Sequence, residues 1–440
     1  MNELELLLHG GVVGGGGAGF PLWKKLSAPA EQLLINGAEC EPLLKSDQYL
    51  MDRYAPQLTR SASRLAALVH AREAVICLKD HYTEQIAALR VSLDQDPDLS
   101  PPVRLHLLPT VYPIGDEQAL IHSATGKTVP PGKLPGAVGC TVVSVSTALN
   151  ALRALEGRPV TQRFVTVAGE VSRPGVYRVP VGMPVSLLLE SAGGVRIADP
   201  RLILGGPMMG PLAPKGGGSV VTKTLGGVLV LPGDHILIRH AELTMEQARV
   251  RARSACIQCR TCTDLCPRHL LGHPIYPHLT MRAFASGDRL EPSAMLCMEC
   301  GVCELYACPM GLNPRRIQQM QKAELRAGTE RPSFSLREAP ALAEYHQIPS
   351  GRILSRINAA RYDIPVPREA VSVSADLVCI PLRQHIGAPA QACVSPGDQV
   401  QRGDVIGRME EGALGADVHA SICGRVERIE NGVVVIKSNA

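Results

Sequence analysis

Apolar positions in the first 150 or so residues fall in short runs rather than long helical stripes. Leu33–Ile35, Ala74–Leu78, Val103–Leu108 and Cys140–Val145 read as strands buried on both faces. Between them, residues 47–68 and 83–93 read as helices. Strand and helix alternate, which predicts a parallel sheet with crossover helices. From Phe164 the texture changes. Phe164–Val171 and Gly175–Val179 form a hairpin pattern about Ser172-Arg173-Pro174-Gly175, and Val185–Ala192 reads as a helix, so a small β-grasp domain is expected. Glu242–Arg253 is a polar helix. Residues 332–367 are mixed and turn-rich, a linker or packing arm. Residues 376–440 are short strands punctuated by Pro396-Gly397-Asp398 and Asn431-Gly432, the pattern of a compact β-sandwich.

At 440 residues the chain exceeds a single core and divides into several domains. Its 42 glycines and 35 prolines favour turn-rich α/β and β structure over a helical bundle. The 45 basic and 41 acidic residues nearly balance and form no long basic block, so no nucleic-acid partner is expected. No unbroken apolar stretch approaches the roughly 20 residues of a transmembrane segment. Met1–Gly10 carries glutamates and reads as a plain first helix rather than a secretory signal or an encapsulation tag. With no export signal, the 14 cysteines imply a reducing cytoplasm, where thiolates stay free for metal.

Eight of these cysteines form two runs. Cys256, Cys259, Cys262 and Cys266 follow C-x-x-C-x-x-C-x-x-x-C-P; Cys297, Cys300, Cys303 and Cys308 repeat it with one extra residue before the last. In this bacterial ferredoxin pattern three thiolates on one turn hold three irons, and the fourth ligand comes from the other run. One 4Fe–4S cluster is therefore assigned to Cys256, Cys259, Cys262 and Cys308, and a second to Cys297, Cys300, Cys303 and Cys266. Zinc sites need no third cysteine at this spacing, and disulfide frameworks suit short secreted chains. Cys40, Cys77, Cys140, Cys379, Cys393 and Cys423 lack metal spacing and read mostly as inert buried thiols.

Gly10–Pro21 is a glycine run leading into a helix start at Leu22. Such a run lets backbone N–H groups approach a phosphate, and equally serves as a flexible turn. Leu33–Ile35 ends in Asn36-Gly37-Ala38-Glu39-Cys40-Glu41-Pro42, polar groups at the strand end where α/β sheets bind ligands. Val103–Leu108 runs on into Tyr112-Pro113-Ile114-Gly115-Asp116-Glu117. Met208 and Met209 of the Gly205–Gly210 loop read as packing.

These motifs resemble the flavin-binding 51-kilodalton subunit of respiratory complex I and, more closely, the C subunit of Rnf-type electron-transfer complexes. Gly14–Pro21 with Lys25, Asn36–Pro42, Tyr112–Glu117 and Val129–Gly132 match the flavin motifs of that family. Gly205–Gly210 and Val221–Thr224 also recur there, and Pro381–Pro389 is similar to its barrel-sandwich hybrid domain. That domain comes first in the Rnf subunit and last here, an order resembling the cobalamin reductases of diol-utilising bacterial microcompartments. The resemblance implies a multidomain α/β and β chain: a Rossmann-like α/β domain for FMN and NADH (1–160), a soluble-ligand-binding β-grasp domain (161–240), a two-cluster ferredoxin-like helical module (241–330), a linker (331–375) and a barrel-sandwich hybrid domain (376–440) packing over the cluster module.

The resemblance further implies FMN contacts at Gly15, Gly17, Gly19, Lys25, Asn36, Glu39 and Glu41, and NADH or flavin contacts at Tyr112, Gly115, Asp116 and Glu117. Ser144, with Ser146 and Thr147, stands where the family carries an asparagine. A serine keeps one donor but lacks the amide's paired donor and acceptor. Glu39, Glu41, Asp116 and Glu117 should give the site a negative field. Val418–Gly424 holds no lysine, so the barrel-sandwich domain is not expected to carry a swinging arm. The implied activity is transfer of electrons from NADH through FMN and two 4Fe–4S clusters to a one-electron acceptor, a corrinoid. Delivery to a protein partner, as in the Rnf complex, is the alternative, and a cluster-bearing scaffold the third reading. Implied partners are a cobalamin adenosyltransferase and microcompartment shell proteins, and the implied location is the cytoplasm, within or on such a compartment. Crossed ligation has a direct test: Cys308→Ala should remove about half of the bound iron, and electron paramagnetic resonance should show loss of the cluster on the first run rather than the second.

Overall fold

The computed structural model describes residues 2–287, 289–329 and 332–439; the expected boundary at 330/331 lies outside the described residues. The chain opens with α1 (Glu3–His9), capped reciprocally by Asn2 and Glu5, and the single turn α2 (Leu22–Lys25). There follow β1 (Gln32–Asn36), α3 (Ser46–Arg53), α4 (Ala55–Leu68), β2 (Glu73–Lys79), α5 (Thr83–Gln95), β3 (Val103–Leu108), β4 (Val111–Tyr112), α6 (Glu117–Thr125), β5 (Cys140–Ser144) and α7 (Val145–Leu155). Four strands make an all-parallel sheet in the order β3-β2-β1-β5. Leu33 and Ile35 face one core, Leu34 with Val75 and Val142 another. Burial on both faces is why these strands read as unbroken apolar runs. The helix expected over 47–68 is two helices, broken at Tyr54. Pro56 has no N–H to extend the hydrogen-bond ladder from the preceding turn.

From the central β1 the chain runs outward to β2 and β3, then returns to β5 on the other side. The C-terminal ends of β1 and β5 therefore part at a topological switch point, where sheets of this kind bind ligands.

The β-grasp hairpin is β6 (Gln162–Gly169) with β7 (Gly175–Pro180), followed by α8 (Val185–Ser191), β8 (Pro200–Leu204) and β9 (Gly227–Pro232). The cysteine module is helical: α9 (Ile236–Glu242), α10 (Met245–Ala255), α11 (Thr261–Asp264), α12 (Pro267–Leu270), α13 (Pro277–Ser286) and α14 (Pro314–Ala327). Its second run winds through a wide π-type turn at Val302–Ala307. A π turn takes one residue more than an α turn, which accommodates the extra residue before Cys308.

The segment expected as a linker or packing arm is a structural strap. β10 (Ile348–Pro349) pairs with β4, and α15 (Ser350–Arg356) buries Ile353 and Leu354. These join Tyr112, Met208, Leu229, Cys300 and Val302 in one apolar cluster drawn from every neighbouring domain. β11 (Val371–Ser372) then adds a parallel edge to β7. The C-terminal domain is two sheets, of four and three strands. It was expected over the cluster module, but among the described residues it shares no apolar core with that module. Val378, Ile380 and Ile436 share a continuous core with Val165, Tyr177 and Val185 of the β-grasp domain, and that apolar burial seats the domain there. The domain also grips the glycine loop: Ile386 N–H donates to the Ala18 carbonyl (2.8 Å), and Lys223 Nζ of the β-grasp domain bridges the two by donating to the carbonyls of Gly11 and Asp417 (2.8 Å each). Among the described residues no helix is long and apolar enough to cross a membrane.

The shared core predicts shared unfolding. Ile380→Ala removes a fully buried side chain and should cost about 2–5 kcal/mol, lowering a single denaturation transition that both β-domains follow. Separate transitions in hydrogen exchange of the two domains would contradict it.

Candidate flavin and iron–sulfur sites

At the switch point a cavity of about 750 Å³ opens between the first domain and the β-grasp domain, within the usual range for cofactor sites. Its walls are the Gly14–Phe20 loop, the ends of β1 and β5, the start of α7, and the Gly205–Gly206 and Met209–Pro211 segments. Gly15, Gly17, Gly19, Lys25, Asn36, Glu39, Glu41, Gly115, Glu117, Ser144 and Thr147 all line it.

Side chains tie the sequence motifs to one another. Gly15 N–H donates to Thr147 Oγ1 (2.8 Å), which is itself hydrogen-bonded to Ser144 Oγ (2.7 Å). Ser144 thus acts on the glycine loop through Thr147. A Cβ on Gly15 would run into Ser146 Oγ, so only glycine lets the loop lie this close to α7. Lys25 Nζ donates to Glu117 Oε1 (2.7 Å) and to the Val142 carbonyl (2.8 Å). Asn36 Nδ2 donates to the Gly115 carbonyl (2.8 Å). Glu39 accepts from the N–H groups of Asp47 (2.8 Å) and Gln48 (3.1 Å), satisfying the free donors at the start of α3.

Two further residues line the cavity that sequence reasoning missed. Arg163 reaches in from β6, donating to the Leu225 carbonyl (2.9 Å) and to the Gly15 carbonyl. Asp47 sits beside Glu39 and Ser146 at the start of α3. Neither stands in a motif; an arginine or aspartate at such positions reads as an ordinary surface residue. Burial pushes the Asp47 carboxyl up to about 7, with the Glu39 charge adding and Arg163 opposing. Burial also pushes Glu41 up to about 7, against hydrogen bonds from the N–H groups of Met208 and Met209. Glu41 Oε1 is buried without a hydrogen-bond partner, a polar atom left for a ligand.

Tyr112 and Asp116, expected as nucleotide contacts, lie outside the cavity. Tyr112 Oη donates to the Cys300 carbonyl (2.6 Å). Asp116 caps α6 and accepts a two-pronged contact from Arg268 (2.6 and 3.0 Å). Arg268 lies two residues past Cys266 and is buried, so its planar fork takes a carboxylate from across the interface. The expected negative field is correspondingly weaker: Asp116 is paired here, Glu117 is paired with Lys25, and Glu41 takes up a proton near neutral pH.

The cavity wall also touches the cysteine module. Glu41 Oε2 accepts from Met208 N–H (3.0 Å), and the Met208 carbonyl accepts from Arg315. Gly301 turns against that carbonyl at φ +81°, where a Cβ would stand 3.0 Å from it.

The thiols gather in the crossed arrangement. Cys256, Cys259, Cys262 and Cys308 line one small cavity; Cys266, Cys297, Cys300 and Cys303 line another. Gln258 and Arg260 in the first turn, and Glu299 and Gly301 at the matching places in the second, have φ of +55°, +67°, +65° and +81°. These left-handed residues curl each turn around its sulfurs. Gln258 Nε2 donates to Cys256 Sγ (3.2 Å), Glu299 N–H to Cys297 Sγ (3.3 Å) and Leu312 N–H to Cys308 Sγ (3.4 Å). Burial, with neighbouring sulfurs adding, pushes Cys262 up to about 12. Four thiolates can share such a place only when metal supplies the opposing charge. The second-run group is the dry one beside the flavin domain, with Cys297, Cys300 and Cys303 at 8 %, 6 % and 8 % exposure. The first-run group meets solvent at Cys259.

A cofactor-sized cavity fastened through a buried seam to two four-thiol sites defines a flavin and iron–sulfur oxidoreductase. Over 439 residues the chain is 46% identical to cobalamin reductase PduS of Salmonella typhimurium, covering 98% of this chain and 96% of that protein. The chain belongs to the PduS cobalamin reductase family. A PduS from Citrobacter freundii is 44% identical over the same shares of both chains. Residues 8–153 match the Nuo51 FMN-binding domain, 164–212 the SLBB domain, 255–313 a 4Fe–4S dicluster domain and 368–440 the RnfC barrel sandwich hybrid domain. A component of the ion-translocating oxidoreductase complex of Citrobacter koseri is 37% identical over 62% of this chain and 37% of its own. An NAD+-reducing nickel–iron hydrogenase in its hydrogen-reduced state shares the fold, with a TM-score of 0.51 and 21% identity over 74% of this chain and 63% of that one.

The carboxyls of Glu41 and Asp47 give the flavin cavity a pH dependence. Both are raised by burial to about 7, so they are neutral below that pH and anionic above it. An anionic flavin nucleotide should bind several-fold more weakly at pH 8 than at pH 6. Glu41→Gln should flatten that difference, as read by quenching of FMN fluorescence at the two pH values.

Proposed function

We propose that this chain draws electrons from NADH and delivers them singly to the cobalt of a corrinoid. FMN held at the switch-point cavity would accept a hydride's two electrons together and release them one at a time. The residues expected to hold it are Gly15, Gly17, Gly19, Lys25, Asn36, Glu39, Glu41, Gly115, Glu117, Ser144 and Thr147, with Arg163 and Asp47 added. Two 4Fe–4S clusters would occupy the crossed thiol sets. The observation that carries this reading is the seam: Tyr112 on Cys300, and Met208 between Glu41 and Gly301, join the cavity wall to the second-run turn through buried contacts.

The chain's own groups have distinct tasks. Arg163 holds the glycine loop, Lys25 ties α2 to Glu117 and the end of β5, and both supply positive charge for a phosphate. Glu41, with its unpartnered oxygen, can hold a proton at the cavity wall near neutral pH. Asp116 and Arg268 keep the module in register with the first domain. The corrinoid acceptor rests on the name of the relatives that match nearly the whole chain. Reduced corrinoid is what an adenosyltransferase consumes, so that enzyme and microcompartment shell proteins are the partners we assign, with the chain inside or on such a compartment. Identity to a component of the ion-translocating complex supports a second reading, delivery to a protein acceptor.

Anaerobic addition of NADH should bleach both the flavin bands and the iron–sulfur shoulder, and cob(III)alamin or cob(II)alamin should then be reduced with turnover. No bleaching would refute NADH as donor. Bleaching without corrinoid turnover, but with turnover of a protein acceptor, would favour the second reading.

A further inference from the structure

The groove beside the first-run thiols has no assigned occupant. It encloses about 530 Å³ and opens widely to solvent between α11, the turn before Cys308, and α15. Its floor is Leu265, Tyr306 and Ala307; its rim is Thr261, Gly351, Arg352, Ser355 and Arg356. Leu265 directly precedes Cys266 and Ala307 directly precedes Cys308. The groove therefore lies on the seam where each cysteine run lends its last thiol to the other.

The charge on this rim is one-sided. Ile353 and Leu354 anchor α15 in the core, which turns Arg352 and Arg356 outward on its solvent face, one helical turn apart. Arg356 makes one long contact, donating to the Cys308 carbonyl at 3.4 Å. Among the described residues the Arg352 side chain has no hydrogen-bond or ion-pair partner. The carboxylate of α11, Asp264, is engaged with Arg260 at 3.1 Å. Two exposed guanidinium groups over an apolar floor fit a ligand that lays a broad ring face on the floor and a fixed anion on the rim. A cobalamin has that chemistry: a corrin ring and one phosphodiester in its nucleotide tail.

We propose that this groove is the corrinoid-binding subsite, with the ring against Tyr306 and Leu265 and the phosphodiester on Arg352 and Arg356. The assignment rests on the corrinoid reading of the proposed function and adds where the corrinoid sits and what holds it. Cyanocobalamin and cobinamide, which lacks the phosphodiester tail, serve as probes in equilibrium dialysis against the full holoprotein. Arg352→Glu and Arg356→Glu should each weaken cyanocobalamin binding about tenfold, the size of a lost charge-assisted hydrogen bond, while Arg352→Lys retains most of it. Cobinamide should bind more weakly than cyanocobalamin to the unaltered protein and be insensitive to either charge reversal. Bleaching by NADH should be unchanged in every variant, showing that flavin and clusters remain loaded, and Arg428→Glu on the distant β-domain should have no effect.

Unaltered cyanocobalamin binding in both charge-reversal variants would overturn the subsite while leaving corrinoid reduction standing. Equal loss of cyanocobalamin and cobinamide affinity would overturn the phosphodiester assignment. Failure of the unaltered protein to bind or reduce any corrinoid would overturn the proposed function itself, and the subsite with it.

Discussion

Arg268 and Asp116 meet across the boundary between the first domain and the cysteine module, and the rest of the electron-carrying architecture is set out around that contact. Both side chains are largely withdrawn from water. A buried ion pair adds little net stability over an apolar substitute, but leaving either partner alone costs about 3–5 kcal/mol. Its effect is therefore on geometry. A guanidinium fork accepts one orientation of a carboxylate, and that orientation brings Tyr112 onto the Cys300 carbonyl and Met208 onto Gly301. The apolar cluster around these residues draws on the first domain, the β-grasp domain, the module and the strap. Several domains thus share a dry contact at the turn that carries the second-run thiols, while the first-run turn meets solvent at Cys259.

Burial governs the chemistry at both ends of this seam. In the switch-point cavity it raises Glu41 and Asp47 toward neutral pH, so a site that looks strongly acidic in sequence carries fewer negative charges in the fold. Around the sulfurs the same desolvation opposes free thiolates and is relieved by metal. The C-terminal domain contributes at a distance. It shares a core with the β-grasp domain and holds Ala18 through the Ile386 N–H, which fixes the glycine loop at the cavity.

Much of this was legible from the order of residues. Short apolar runs marked the parallel strands, the glycine run marked the loop, and the cysteine spacing grouped the thiols as the structure does. What stayed hidden has identifiable causes. Arg163 and Asp47 belong to no motif and reach the cavity from the β-grasp strand and from a helix start. Tyr112 and Asp116 lie in a flavin motif, yet their side chains turn to the module, because Arg268 and the Cys300 carbonyl wait there. The strap at 348–372 was obscured by its turn-rich composition; its apolar residues are too few to show a period, and become a core only when Tyr112 and Met208 close over them.

The sequence by itself determined where the thiols and the glycine run lie and which of them are neighbours, since thiols at fixed short spacing and glycines in a run are local features of the chain. It also determined the layered plan of sheet, hairpin and helical module, because strand and helix periods are local as well. Only the tertiary structure decided which carboxylates line the cavity, which are spent on holding domains together, and on which face the C-terminal domain rests. Those outcomes depend on contacts between residues more than a hundred positions apart, such as Asp116 with Arg268 and Gly15 with Arg163. Long-range burial and charge pairing leave no period or spacing in the chain from which they can be read.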